Sequence, residues 1–441
     1  MNRTIWASVL GLLLVSQVNA DNWPHWRGSH GNGVAVNAQP PTEWSSTKNV
    51  KWKKPIPGRG SGSPVIWNDR VFVVTAVSTG GAEARPEPRP GGGRPGGRRP
   101  GGRRPSGPLP KLQFQVMCFA RANGDLLWKK TAVEATPHEG THSTNGFASA
   151  SPCTDGKHVY AHFGSRGLYC YDMDGALKWK RDDFGKMQTR ATFGEGSSPT
   201  LAGDKLLVPW DHEGPSALFA LDKTTGKTIW KTERDEPTCW ATPLVVEHQG
   251  RKQIVMNGQN RARAYDLETG KELWSCGGQT QRPVASAVSA DGLVFVGSGF
   301  RGSFLGAFGL DGKGRIEDTA SVKWTIGKDT PDIASPLLSE GRLYFHKEKT
   351  GILTCLDAAT GKPLFTASRI PGVSRTYASP IAAGGYVFLT GRSGNTTVIK
   401  DANKLTVVAE NSVGETVDAT PAPAGKELFI RGERHLFCIA E

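Results

Sequence analysis

The densest run of chemically able residues is Pro137-His138-Glu139-Gly140-Thr141-His142-Ser143-Thr144-Asn145-Gly146. His138, Glu139 and His142 match the His-Glu-x-x-His spacing of zinc enzymes. On a helix that spacing puts two imidazoles on one face beside a general base. Pro137 and Gly146 bracket this copy, and no helical periodicity surrounds it, so the run is expected to be a hydrogen-bonded loop and not a metal helix. The remaining candidates are scattered. Glu195, Asp332 and Asp418 could offer oxygen ligands to a hard cation such as Ca²⁺, with Asp332 or Asp418 as a base. Trp240 could stack a planar ligand. The sequence has no G-x-S-x-G elbow, phosphate loop or dinucleotide fingerprint, and the Gly-rich GSGFRGSFLG (297–306) reads as a strand-turn-strand hairpin.

What must position these residues is a repeat. ARANGDLLWKK (120–130), YDMDGALKWKR (171–181), LDKTTGKTIWK (221–231) and YDLETGKELWS (265–275) each read as a strand end, a tight turn and a strand with Trp four residues after Gly. LDAATGKPLF (356–365) follows with Phe365 in the Trp slot, and 310–324 follows with a longer turn. A second motif, a small residue, Ser or Thr, then usually Pro, appears eight times: 62–64, 150–152, 197–199, 241–243, 285–287, 334–336, 378–380 and 419–421. Trp179 to Trp230 spans 51 residues and Trp230 to Trp274 spans 44, the length of a four-stranded blade. The expected fold is all-β: an eight-bladed propeller of four-stranded antiparallel blades. The small motif belongs on the innermost strand, where blades converge, and the Trp on the outer pair, where they widen. After the eighth small motif the chain has residues for only three more strands, so Asn49–Pro55 with Trp52 is expected to complete the last blade.

On this architecture the residues just before each inner strand ring one channel mouth: Arg59, Asn145, Glu195, Trp240, Arg282, Asp332, Arg375 and Asp418. Basic and acidic members nearly alternate. They could pair with one another or bind a ligand, and the sequence leaves both open.

The flanking segments place the chain outside the cytoplasm. Arg3, the apolar run Ile5–Val15 and the small residues Val18-Asn19-Ala20 have the form of a cleaved signal peptide over 1–20. No Cys follows the cleavage point to take a lipid anchor, and no other segment is long and apolar enough to cross a bilayer. A periplasmic or secreted protein is expected, with a strap over 21–48 and the propeller over 49–441. Of the formal +13 charge, the Pro/Gly/Arg-rich insertion 81–110 in the first blade carries seven Arg against two Glu. Its composition suits a disordered loop, tolerated or attractive to anionic surfaces; export removes nucleic acid from the expected partners. Seven cysteines in an exported chain suggest disulfides. Cys118, Cys170, Cys355 and Cys438 share a repeat slot that Ala220, Ala264 and Gly309 fill elsewhere, so they are expected to be buried and unpaired. No pairing is expected among Cys153, Cys239 and Cys276 either.

The hairpin pattern D-x-x-T-G-K-x-x-W, clearest at 222–230 and 266–274, resembles the repeat of the pyrroloquinoline quinone (PQQ)-like propellers, which include quinoprotein alcohol dehydrogenases and BamB. Trp23-Pro24-His25-Trp26-Arg27-Gly28 is similar to the start of exported members from planctomycete-type bacteria, with Trp23 and Trp26 as strap anchors. The resemblance implies the fold over nearly the whole mature chain and says little of function, because the repeated residues are structural. Its catalytic members hold PQQ with a Trp plane, Ca²⁺ through Glu and Asn/Asp oxygens, an Asp base and often adjacent cysteines. This chain has no Cys-Cys pair and is shorter. The reading is therefore a non-enzymatic, monomeric scaffold of the cell envelope, BamB-like in architecture, docking a protein or glycan. The alternative is a PQQ- and Ca²⁺-dependent dehydrogenase of an alcohol or sugar.

Overall fold

A computed structural model of the chain describes residues 22–80 and 109–441. The predicted signal peptide and nearly all of the Arg-rich insertion lie outside the described residues. The rest forms eight antiparallel sheets, one per blade. Blade 1 runs outward through Val65–Trp67, Arg70–Ser78, Leu112–Ala120 and Leu126–Ala135. Second strands such as Lys205–Trp210 are buried throughout, because neighbouring blades cover both faces, whereas outer strands such as Leu126–Ala135 are largely solvated. Blade 8 closes as expected. Ala422–Ala424, Glu427–Arg431 and His435–Ile439 supply three strands, and Val50–Pro55 adds the outer one with Trp52 opposite Cys438.

Closure by the N-terminal strand removes the open edge that a linear array would expose. Two short parallel pairings were not foreseen: Val34–Ala35 lies along the inner strand of blade 7, and Gly314–Arg315 covers the outer strand of blade 4.

The repeat residues join one blade to the next. The indole Nε1 of Trp52 donates to the Arg121 carbonyl at 2.9 Å, Trp128 to Met173 at 2.8 Å, Trp179 to Lys223 at 3.0 Å, Trp230 to Leu267 at 3.1 Å and Trp324 to Ala358 at 3.0 Å. Each acceptor lies in the hairpin turn of the following blade, and the ring lies over that turn's glycine. A Cβ on Gly226 would meet Trp179 at 2.7 Å, and its φ of +72° favours glycine in any case. This explains why Gly and Trp recur together: the Gly of one blade receives the Trp of the blade before it.

The small motif forms a second circuit at the centre. The backbone N–H of each Ser or Thr donates to the hydroxyl of the next: Ser63 to Ser151, then to Ser198, Thr242, Ser286, Ser335, Ser379 and Thr420, at 2.8–3.1 Å. Buried N–H groups need a partner, so a hydroxyl is required at every step. At the seam between blades 8 and 1 the buried Arg431 donates to the Gly62 and Val74 carbonyls instead.

The strap crosses the face opposite the mouth. Trp23 exchanges both backbone hydrogen bonds with Ile66, and the Thr154 N–H donates to Pro24. Arg27, 1 % exposed, donates to the carbonyls of Pro380, Pro336 and Asn32. Trp23 is a buried anchor, as expected, whereas Trp26 is only partly buried and closes the inner end of the channel. All seven cysteines are buried and unpaired.

Candidate functional site

The channel is a cavity of about 430 Å³, open at the mouth and floored by Trp26. The hydroxyl circuit forms its wall. Two sets of loops form its rim: those that precede inner strands bring Asn145, Phe193, Trp240, Arg282, Tyr377 and Asp418, and those between middle strands bring Phe300 and Lys349.

Four of the eight residues anticipated at the mouth line this cavity. Asn145 donates to the Phe193 carbonyl at 2.9 Å and accepts the Gly146 N–H. Trp240 Nε1 donates to the Gly194 carbonyl at 2.7 Å. Arg282 lies flat on Phe300, 3.3 Å from the ring centroid, with Nε buried and unbonded. Its φ of +46° is a left-handed backbone that arginine rarely takes. Asp418 is held by a bidentate contact from Arg392, with Nη2 to Oδ2 at 2.9 Å.

The other four turn elsewhere. Arg59 is exposed and reaches only the Ser143 carbonyl. Arg375 is exposed and donates to the Tyr377 hydroxyl at 2.7 Å. Glu195 points between blades, where its carboxylate accepts the Ser165 N–H at 2.7 Å and the Ser165 hydroxyl. Asp332 is 3 % exposed behind Ile333, and its Oδ1 has no hydrogen bond. Burial pushes the carboxyls of Glu195, Asp332 and Asp418 above the usual carboxylate range.

The His-Glu-x-x-His run is a loop beside the mouth whose side chains diverge. His138 accepts from Arg166 at Nδ1 (2.8 Å) and meets the Met187 carbonyl at Nε2 (2.6 Å). Glu139 accepts the backbone N–H and hydroxyl of Thr189. His142 reaches the cavity, bonded to Thr144 and edge-on to Phe193. Burial, then Lys349, Arg282, Arg375 and Arg392, hold His142 below its usual pKa.

These placements bear on PQQ and Ca²⁺. The three carboxylates that could coordinate Ca²⁺ do not converge: Glu195 faces Ser165, Asp418 is claimed by Arg392, and Asp332 stands behind the wall. Among the described residues no group of three His, Cys, Asp or Glu side chains could hold a metal. The residues therefore do not fit the Ca²⁺ that anchors the quinone.

Sequence reasoning missed Phe193, Phe300, Lys349, Tyr377 and Arg392. Three of these lie in loops between middle strands, which no motif marks. The alternation of charges misled for the same reason, since Asp418 pairs with Arg392 and not with its neighbour in the ring.

The sequence matches the family described as outer membrane protein assembly factor BamB over residues 113–299 and 280–439. No curated protein matches it. BamB from Moraxella catarrhalis is similar in structure, with a TM-score of 0.52 and 13 % identity over 74 % of this chain and 93 % of that chain. A quinohemoprotein alcohol dehydrogenase from Comamonas testosteroni has a TM-score of 0.60 and 11 % identity over 95 % of this chain and 80 % of that chain. At such identities the likeness shows the fold alone. The chain belongs to the PQQ-like β-propeller family described as outer membrane protein assembly factor BamB.

Proposed function

We propose that this protein is a binding scaffold of the bacterial cell envelope, periplasmic or secreted after removal of residues 1–20, that docks a protein or glycan at the channel mouth. One observation carries the reading: Glu195 and Asp418 are committed to protein partners and Asp332 is buried, while aromatic faces and cations line the open cavity. Such a surface supports recognition. The family match supports the envelope setting, and among the described residues no helix is long and apolar enough to cross a membrane. The protein is proposed to act as a monomer. The mature protein should be titrated with PQQ and Ca²⁺ and assayed for dye reduction with alcohols and aldose sugars. Absence of saturable binding and of dye reduction is expected. Substrate-dependent dye reduction would replace the scaffold with a quinoprotein dehydrogenase, Asp332 or Asp418 then being candidate bases.

A further inference from the structure

The hydroxyl circuit has a chemical consequence at the cavity wall. Each of Ser151, Ser198, Thr242, Ser286, Ser379 and Thr420 already uses its oxygen to accept a backbone N–H. Each therefore keeps its own proton to give, and no acceptor among the described residues takes it. The wall is thus rich in donors.

Two cations stand at its rim. The Lys349 ammonium forms no hydrogen bond or ion pair with a described residue, and the Arg282 guanidinium lies over the Phe300 and Phe193 rings, 3.3 and 5.8 Å from their centroids. Asp332 feels the charge of both, yet neither pairs with it directly, and its carboxyl is buried; Glu348, beside Lys349 in the same loop, is exposed. Arg392 is neutralised by Asp418, whereas Arg375 has only the Tyr377 hydroxyl. Two cations without a direct ion-pair partner, Arg282 partly desolvated, above a ring of hydroxyl donors favour an anion that is also rich in acceptors.

The aromatic groups narrow the class further. Phe193 and His142 meet edge to face at 86°, so this side of the cavity offers no parallel plane to sandwich a flat conjugated acid. Trp240 and Phe193 instead border amide and hydroxyl groups, the mixture that a puckered sugar ring satisfies with its C–H face and its hydroxyl rim.

We propose that the channel is a blind receptor site for the end of an acidic saccharide, its carboxylate taken by Arg282 and Lys349 and its ring seated against Trp240 above the hydroxyl circuit. The inference rests on the scaffold reading and names its ligand.

The test is calorimetric titration of the mature protein with trigalacturonic acid, its methyl ester and a neutral cello-oligosaccharide. Saturable binding of the acid is expected, weaker by about tenfold or more for the ester and in Lys349→Met, since a hydrogen bond to a charged group is worth about 1.5–3 kcal/mol. The Lys349 ammonium has no hydrogen bond or ion pair with a described residue to lose, so that variant should melt like the parent; Trp240→Phe should also weaken binding. No binding of the acid, equal binding of the ester or the neutral sugar, or an unchanged affinity in Lys349→Met would overturn the proposal. Dye reduction with PQQ and Ca²⁺ would instead overturn the scaffold reading beneath it, so the two failures are distinguishable.

Discussion

Replacing Trp52 with Ala should unseat the strand that closes the propeller. Trp52 is 7 % exposed, packs on the Gly124 turn and against Phe429, and donates to the Arg121 carbonyl at 2.9 Å. Truncating a buried Trp costs about 3–5 kcal/mol, and the orphaned carbonyl accounts for about 1 kcal/mol of it. Unfolding entropy runs near 2.1 cal/mol/K per residue, or roughly 0.8 kcal/mol/K for an ordered body of this size, so Tm should fall by about 5 °C. Trp52→Phe keeps most of the ring and loses the donor, and its Tm should fall by about 1–2 °C. Leu126→Ala, at a residue 48 % exposed, is the neutral control. Deleting Asn49–Pro55 removes the whole strand and should cost more than Trp52→Ala. Calorimetric melts of the protein without residues 1–20 compare all four. A Trp52→Ala variant within 1 °C of the parent would show that the seam does not depend on this ring and would refute the account of closure.

Three further outcomes are expected. Ser286→Ala leaves the buried Thr242 N–H without its acceptor and should cost about 1–3 kcal/mol, while Ser286→Thr should be nearly neutral; equal losses in the two would argue against the hydroxyl circuit. Arg392→Leu leaves Asp418 partly buried and unpaired and should cost about 2–3 kcal/mol at pH 7. Because the Asp418 carboxyl is already raised, it takes up a proton as pH falls, and the deficit should shrink at pH 5; a deficit that grew would refute this. Burial holds His162 and His346 down to about 4, from an ordinary 6.5. The unfolded chain therefore binds protons that the folded chain refuses between those values, so their contribution is fully favourable above about pH 6.5 and is lost as pH falls toward 4. The double variant His162→Gln/His346→Gln should lose less stability between pH 7 and pH 5 than the parent, by about 1 kcal/mol per histidine or more, as read from denaturant melts.

The fold was legible because its constraints are local and repeated. A turn glycine that receives a Trp and a hydroxyl that receives an N–H recur at most blade junctions, so both leave a period in the sequence. The site was only half legible. Asn145, Trp240, Arg282 and Asp418 line the cavity because they precede inner strands, as the pattern suggests. Glu195 precedes one too, yet Ser165 draws it between blades. Lys349, Phe300 and Arg392 come from middle-strand loops that carry no motif, and only three-dimensional convergence reveals them. The His-Glu-x-x-His spacing shows the converse: matching residues whose backbone sends each side chain to a different partner.

The closing strand and the strap also set an order of events during folding. Trp44 binds Asn411 across 367 positions, and Arg27 binds Pro380 across 353. Neither contact can form until the far end of the chain is available to fold, and loop closure over such distances is slow. Blades 1 to 6 can accrete as they emerge, each hairpin handing its glycine to the tryptophan already in place. Blade 8 must wait with an unpaired outer edge until Val50–Pro55 arrives. A chain arrested before His435 would thus hold most of its architecture yet keep a sticky β-edge, which makes the last few residues the step at which proteases and chaperones would discriminate finished molecules from unfinished ones.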